Sequence, residues 1–271
     1  MRLGRADLAG QVAVFAGPSL PPESRPDDPR LVWLHPAAAG DAYAVAKARP
    51  RVVVLIDGLF DAWPAIRHKE LLDLIAAGIP VVGGASMGAL RAAELGAFGM
   101  IGVGRIFAAY AEGRLTGDDE VAVLHGPAAL DWAALTEALV NVRATLQRAV
   151  RERVVTADVA RTTVQVARSV FYKDRTWAGL VDALAGRPAL AGQARALEAW
   201  LPRGRVNLKQ ADARACVSVA LTLGDAAAAP IAPPPRSPFA EALAAQVAGG
   251  LTGPERPYAP RPGTAPPPHR T

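Results

Sequence analysis

Gly84-Ala85-Ser86-Met87-Gly88 is a G-x-S-x-G pattern. It follows an apolar run and precedes a helical pattern, the setting in which a serine stands exposed on a tight strand-to-helix turn. Small residues on either side permit such a turn. Backbone N–H groups at Met87 and Gly88 would point out of the helix start, where they and the helix dipole hold a developing oxyanion. The same pattern also describes a turn packed closely for steric reasons, or a phosphate-binding turn.

A nucleophilic serine needs a base. His68, Lys69 and Glu70 stand together on the preceding helical pattern. A partly buried lysine has a lowered pKa and serves as a general base. His68, one residue away, points about 100° elsewhere around the helix. Spacing does not choose between His68 and Lys69, and both also suit a solvated helix face.

Asp57-Gly58 follows an apolar run directly. Such an acid orients a base, binds a metal or, the favoured reading, caps the next turn. Asp118-Asp119-Glu120 and His125 add further oxygen and nitrogen ligands, but their spacing matches no standard metal motif. A structural or partner-docking role is expected there, and no metal or cofactor is. Arg91 and Glu94 suit an i, i+3 ion pair. Arg91 alternatively binds the acidic end of a substrate.

These residues need a scaffold. Apolar runs at residues 12–16, 31–34 and 51–56, and a fourth from Val81, read as strands buried on both faces of a parallel sheet. Helical patterns at 41–48, 63–77 and 87–95 alternate with them, so the fold class is α/β. Pro64 suits the first turn of the 63–77 pattern. Beyond Pro127 the chain reads as all-helical. Trp132, Leu135, Leu139, Val142, Leu146 and Val150 share one face. Further patterns cover 159–172, 177–184, 197–201 and 211–223. Three regions result: an α/β core over 11–128, a helical part over 129–225, and a Pro/Ala-rich tail over 226–271. The tail is expected to be disordered, with one possible short helix at 239–247.

Composition narrows the classes. The 271 residues are 51% hydrophobic, enough for a sizeable core. The net charge of +5 is spread over scattered basic residues, so nucleic acid is not an expected partner. A single cysteine, Cys216, excludes a disulfide framework and reads as a small core residue. No apolar run reaches the roughly 18 residues of a membrane span, and no signal peptide is evident. The cytoplasm is the expected location.

Several segments together resemble the TfuA-like proteins. They are Ala16-Gly17-Pro18-Ser19-Leu20-Pro21, Pro36-Ala37-Ala38-Ala39-Gly40-Asp41, Ile56-Asp57-Gly58-Leu59-Phe60 and His68-Lys69-Glu70. Most specific is Gly84-Ala85-Ser86-Met87-Gly88-Ala89-Leu90-Arg91-Ala92-Ala93-Glu94-Leu95, followed by Phe98-Gly99-Met100, Gly102-Val103-Gly104 and the block from Asp118 to Pro127. The resemblance implies an accessory protein for peptide backbone thioamidation. Its expected partners are a YcaO-type ATP-dependent enzyme, a ThiS-type sulfur-carrier protein and the precursor peptide. It further implies hydrolysis of the carrier's thiocarboxylate by a Ser–Lys pair, matched here to Ser86 and Lys69. Met87 and Gly88 would hold the oxyanion, and Asp57, His68, Arg91 and His125 would support the site. The competing expectation is a non-catalytic scaffold that docks the YcaO-type partner.

Overall fold

The computed structural model describes residues 8–59, 63–223 and 238–248. Its sheet has five strands, Val12–Phe15 (β1), Leu31–Leu34 (β2), Val52–Leu55 (β3), Val81–Gly84 (β4) and Ile101–Val103 (β5), in the order β2-β1-β3-β4-β5. Every neighbouring pair is parallel. The four expected runs are β1 to β4. β5 is only Ile-Gly-Val, too short to read from pattern. The strand order reverses between β1 and β3, and at such a point the carboxyl edge of an open α/β sheet forms a crevice.

The helices are Asp41–Ala46 (α1), His68–Ala76 (α2), Met87–Leu95 (α3), Gly104–Ala111 (α4), Leu139–Arg151 (α5), Ala157–Ser169 (α6), Trp177–Ala185 (α7), Ala191–Gly204 (α8), Leu208–Thr222 (α9) and Pro238–Ala248 (α10). Alternation along the strands sorts their side chains onto two faces. Phe15, Val53, Leu55 and Val81 pack with Leu71 and Leu74 of α2 and Ala92 of α3. Val12, Val14, Val52, Val54 and Val82 face the other way, onto Ala213, Cys216, Val217 and Ala220 of α9. The second face is therefore covered by a helix from the far end of the described chain. α9 runs against the strands: its last turn meets the amino edge, where Arg51 Nη1 donates to Leu223 O at 2.8 Å. Helices α5 to α8 enclose their own core around Leu146, Trp177, Leu184 and Trp200.

Several boundaries differ from expectation. The helix expected from 63 starts at His68. Pro64 lies before it in extended chain, its carbonyl accepting from Ala39 N at 2.8 Å, and Ala65 bridges to Ala38. The helix expected to include Trp132 and Leu135 starts at Leu139. Asp131 and Trp132 have φ of 49° and 58°, a left-handed pair that no helix continues through. Residues 124–135 instead fold back on themselves, His125 bridging Ala134 and Leu135 N donating to Leu124 O at 2.8 Å. The apolar interruption in the tail is α10, and Lys47 Nζ of α1 donates to its Val247 O at 2.7 Å. The remainder of the expected disordered tail lies outside the described residues. Among the described residues no helix is long and apolar enough to cross a membrane.

Candidate active site

Between β4 and α3 the chain makes a γ-turn. Ser86 N donates to Gly84 O at 2.7 Å around Ala85, whose φ is +65°. A positive φ on a residue with a Cβ costs on the order of 1–2 kcal/mol. Close packing on both sides holds the strain. A Cβ at Gly84 would collide with Cys216 Sγ of α9 and Val103 O, and one at Gly88 with Leu55 O of β3. Sterics thus account for both glycines of the G-x-S-x-G pattern. Ser86, the N-cap of α3, is left at the carboxyl edge with only 9% of its surface exposed.

The expected oxyanion donors separate. Gly88 N donates to Ile56 O at 3.1 Å, so its N–H is already committed to the sheet. Met87 N has no protein acceptor among the described residues.

Asp57, at the end of β3, is buried and spends its carboxylate on the loop after β1. Oδ2 accepts from Gly17 N at 2.8 Å and Ser19 N at 3.0 Å, and Oδ1 accepts from Ser19 Oγ at 2.6 Å. The sequence favoured a cap on the next turn; the carboxylate instead ties together the two loops that flank the switch point.

Ser86 and Asp57 line a cavity of about 210 Å³, with Met87, Arg91 and His125 on its walls. The lysine lining it, among the described residues, is Lys209 from the first turn of α9, and not Lys69. Lys209 is 3% exposed, and its Nζ donates to Val121 O at 2.7 Å. Burial lowers its pKa from the ordinary 10.5, against the opposing pull of Asp57 and Glu137. It also lines an adjoining cavity of about 380 Å³, so it stands where the two spaces meet. The start of α9 is pinned by polar bonds. Asn207 Oδ1 accepts from Gln210 N at 2.9 Å, Asn141 Oδ1 accepts from Lys209 N at 3.2 Å, and Asp212 Oδ2 accepts from Ile106 N of α4 at 2.7 Å.

Sequence reasoning missed Lys209. The signal was present: Lys209 and Asp212 fall on the same stripe as Ala213, Cys216 and Val217. Two charged residues on an otherwise apolar helix face are expensive unless they do something.

His68 and Lys69 open α2, outside this cavity's lining. His68 Nε2 lies 2.6 Å from Glu94 Oε2, and Arg91 Nη1 donates to the same oxygen at 2.7 Å. The expected Arg91–Glu94 pair therefore forms, and Arg91 also reaches the cavity wall. Lys69 is half-buried. The acidic run is held by arginines. Glu120 receives Arg143 at 2.8 and 3.1 Å, and Asp119 O receives the buried Arg175 at 3.2 Å. Asp118 faces the cavity. His125 Nδ1 lies 2.9 Å from Gly126 O, and its ring meets Trp132 edge-on. Cys216 is free and buried, its thiol pushed up to about 12 by burial.

An open parallel α/β sheet with a serine-lined cavity at its switch point is the class of protein these features define. Residues 57–176 match the model of a family described as TfuA-like protein. That stretch is therefore similar to the TfuA-like family, and the match takes in Asp57, His68, Lys69, Ser86, Arg91 and His125. It ends before α9 and so before Lys209. A search of curated proteins gave no match.

Proposed function

We propose that the protein is an accessory hydrolase for peptide backbone thioamidation, releasing sulfide from the thiocarboxylate of a ThiS-type sulfur carrier for a YcaO-type partner. The observation that carries this reading is Ser86. It is nearly buried, held on a strained turn at a helix N-terminus, and opens onto a cavity with a buried lysine. The TfuA-like match over 57–176 supports the thioamidation context.

In the proposed reaction Ser86 Oγ attacks the thiocarboxylate carbon and gives its proton to a lysine amine. The C–S bond breaks, the proton passes to the departing sulfur, and an acyl ester on Ser86 remains. Water then cleaves the ester, leaving a carboxylate on the carrier and restoring the serine. The Met87 N–H, which has no protein acceptor among the described residues, and the dipole of α3 stabilise the tetrahedral oxyanion. Arg91, at the cavity wall, offsets the substrate's negative charge.

The test is sulfide release from a thiocarboxylated ThiS-type carrier, with Ser86→Ala compared at matched folding. Release by the wild type and its loss in the variant are expected. An inert wild type, or an unimpaired variant, overturns the hydrolase reading.

The scaffold reading has one observation in its favour. Leu130, Leu135 and Phe171 are 58, 55 and 59% exposed. Large apolar side chains in solvent suit a protein partner. Binding of the YcaO-type enzyme by Ser86→Ala at wild-type affinity would show that docking does not require the hydrolase site.

A further inference from the structure

We infer that the larger of the two cavities holds the last residues of the carrier protein as an added β-strand, paired with the backbone of residues 134–136. The inference rests on the carrier-hydrolysis reading of the Ser86 site and gives the substrate's chain its place.

The cavity of about 380 Å³ shares Pro18 and Val123 with the Ser86 cavity, and Ala134, Leu135 and Thr136 form part of its wall. These three residues lie on one arm of the fold-back over 124–135. Gly126 N donates to Ala133 O at 2.8 Å, Leu135 N to Leu124 O at 2.8 Å, and Glu137 N to Arg175 O at 2.8 Å. Peptide groups alternate in direction along extended chain. The backbone groups of Ala134 and Thr136 therefore point away from the paired arm. Among the described residues neither N–H has an acceptor and neither carbonyl has a donor. Two donors and two acceptors one strand repeat apart are what an extended peptide pairs with.

Nothing on this edge guards it. Folded proteins blunt bare edges with lysine, proline or a bulge, whereas Ala134-Leu135-Thr136 leaves the edge open. Glu137, the next residue, is already occupied: its carboxylate accepts from Trp177 Nε1 at 2.9 Å and Asn141 Nδ2 at 3.0 Å. Leu135 is 55% exposed, and a strand laid on the edge would cover it.

The position of the cavity selects the occupant. The carbon that meets Ser86 is the end of a polypeptide, so the residues before it must leave through a space that adjoins the Ser86 cavity. The larger cavity does so. Pairing through main-chain groups holds a chain and gives no grip on a small thioacid. Arg205, on the same wall and exposed, makes no side-chain hydrogen bond or ion pair among the described residues. That unpaired cation favours a chain with an acidic side chain near its end.

The experiment uses the full chain. The carrier with an ordinary carboxylate end, which is not consumed, is added to nitrogen-15-labelled protein. The amide signals of Ala134 and Thr136 should shift, and their hydrogen exchange should slow. A carrier shortened by about six residues, roughly 20 Å of extended chain, should do neither. In the sulfide-release assay Ala134→Pro removes an edge N–H and no bond of the fold-back. It should raise KM about fivefold to tenfold with kcat unchanged. Arg205→Ala should raise KM about threefold, an effect that fades with added salt. Folding is checked by circular dichroism. Peptides of the carrier's last residues, N-methylated at single amides, test the edge without altering the protein. Methylation should block binding at alternate positions only.

Sulfide release by a wild type whose Ala134 and Thr136 amides do not respond overturns the inference and leaves the hydrolase reading standing. So does a KM unaltered in both folded variants, or N-methylation that acts equally at every position. Edge signals that respond without any sulfide release uphold the strand site and remove the hydrolase reading. A wild type that neither binds the carrier nor releases sulfide removes both.

Discussion

Ser19 gives Asp57 two hydrogen bonds, one from its hydroxyl at 2.6 Å and one from its own amide at 3.0 Å. With Gly17 N this fills the carboxylate and closes the loop after β1 onto the end of β3. Asp57→Ala should cost about 3 kcal/mol or more in urea unfolding, because buried donors lose a charged acceptor. Asp57→Asn keeps one oxygen for the two amides and should cost about 1 kcal/mol. Equal losses in the two variants would contradict its role in tying the two loops.

The γ-turn makes a prediction of opposite sign on neighbouring residues. Ala85→Gly relieves a positive φ and should stabilise the fold by up to about 1 kcal/mol. Gly88→Ala drives a Cβ into Leu55 O, which is backbone and has no room to move. Its destabilisation should exceed about 3 kcal/mol. Thermal melts of the two single variants check both signs.

Glu70 accepts from Gly40 N at 2.7 Å and from Arg67 N at 3.2 Å, closing the start of α2 onto α1. Burial pushes its carboxyl from 4.5 up to about 7, partly opposed by those two bonds. Between these values the folded chain holds a proton that the unfolded chain has lost. The contribution is therefore full below about 4.5 and declines as pH rises through about 7. Carbon-13 carboxyl shifts should show a group titrating near 7 that is missing from Glu70→Gln.

Lys209 gives a linkage signature independent of activity. Its folded pKa is lowered from 10.5, so below that value the unfolded chain binds a proton more readily than the folded one. Wild-type stability should rise with pH through the window ending at 10.5, relative to Lys209→Met, which has nothing to titrate. A pH-independent difference between the two would mean that Lys209 remains charged in the fold.

The α/β class was legible because β1 to β4 lie in short apolar runs separated by Gly, Pro or Asp. Ser86 was legible because its two glycines stand at the positions a tight turn demands. The structure then shows that those glycines answer to Cys216 and Leu55, contacts between distant segments that no local pattern encodes. β5 is three residues with a central glycine and carries almost no periodic signal. Trp132 and Leu135 fit a helical face by arithmetic alone, and the left-handed backbone at Asp131 and Trp132 breaks it. Lys69 drew attention as a candidate base on the preceding helix and through the family resemblance. Lys209 comes to line the serine's cavity only once α9 has crossed the sheet.

That crossing has a consequence for how the chain is made. β1, β3 and β4 emerge from the ribosome long before residues 208–222, and until α9 arrives the face bearing Val14, Val54 and Val82 has no cover. A nascent or truncated chain ending before α9 would expose that greasy surface and would lack the lysine that lines the Ser86 cavity. The same late helix thus covers one face of the sheet and completes the lining of the Ser86 cavity.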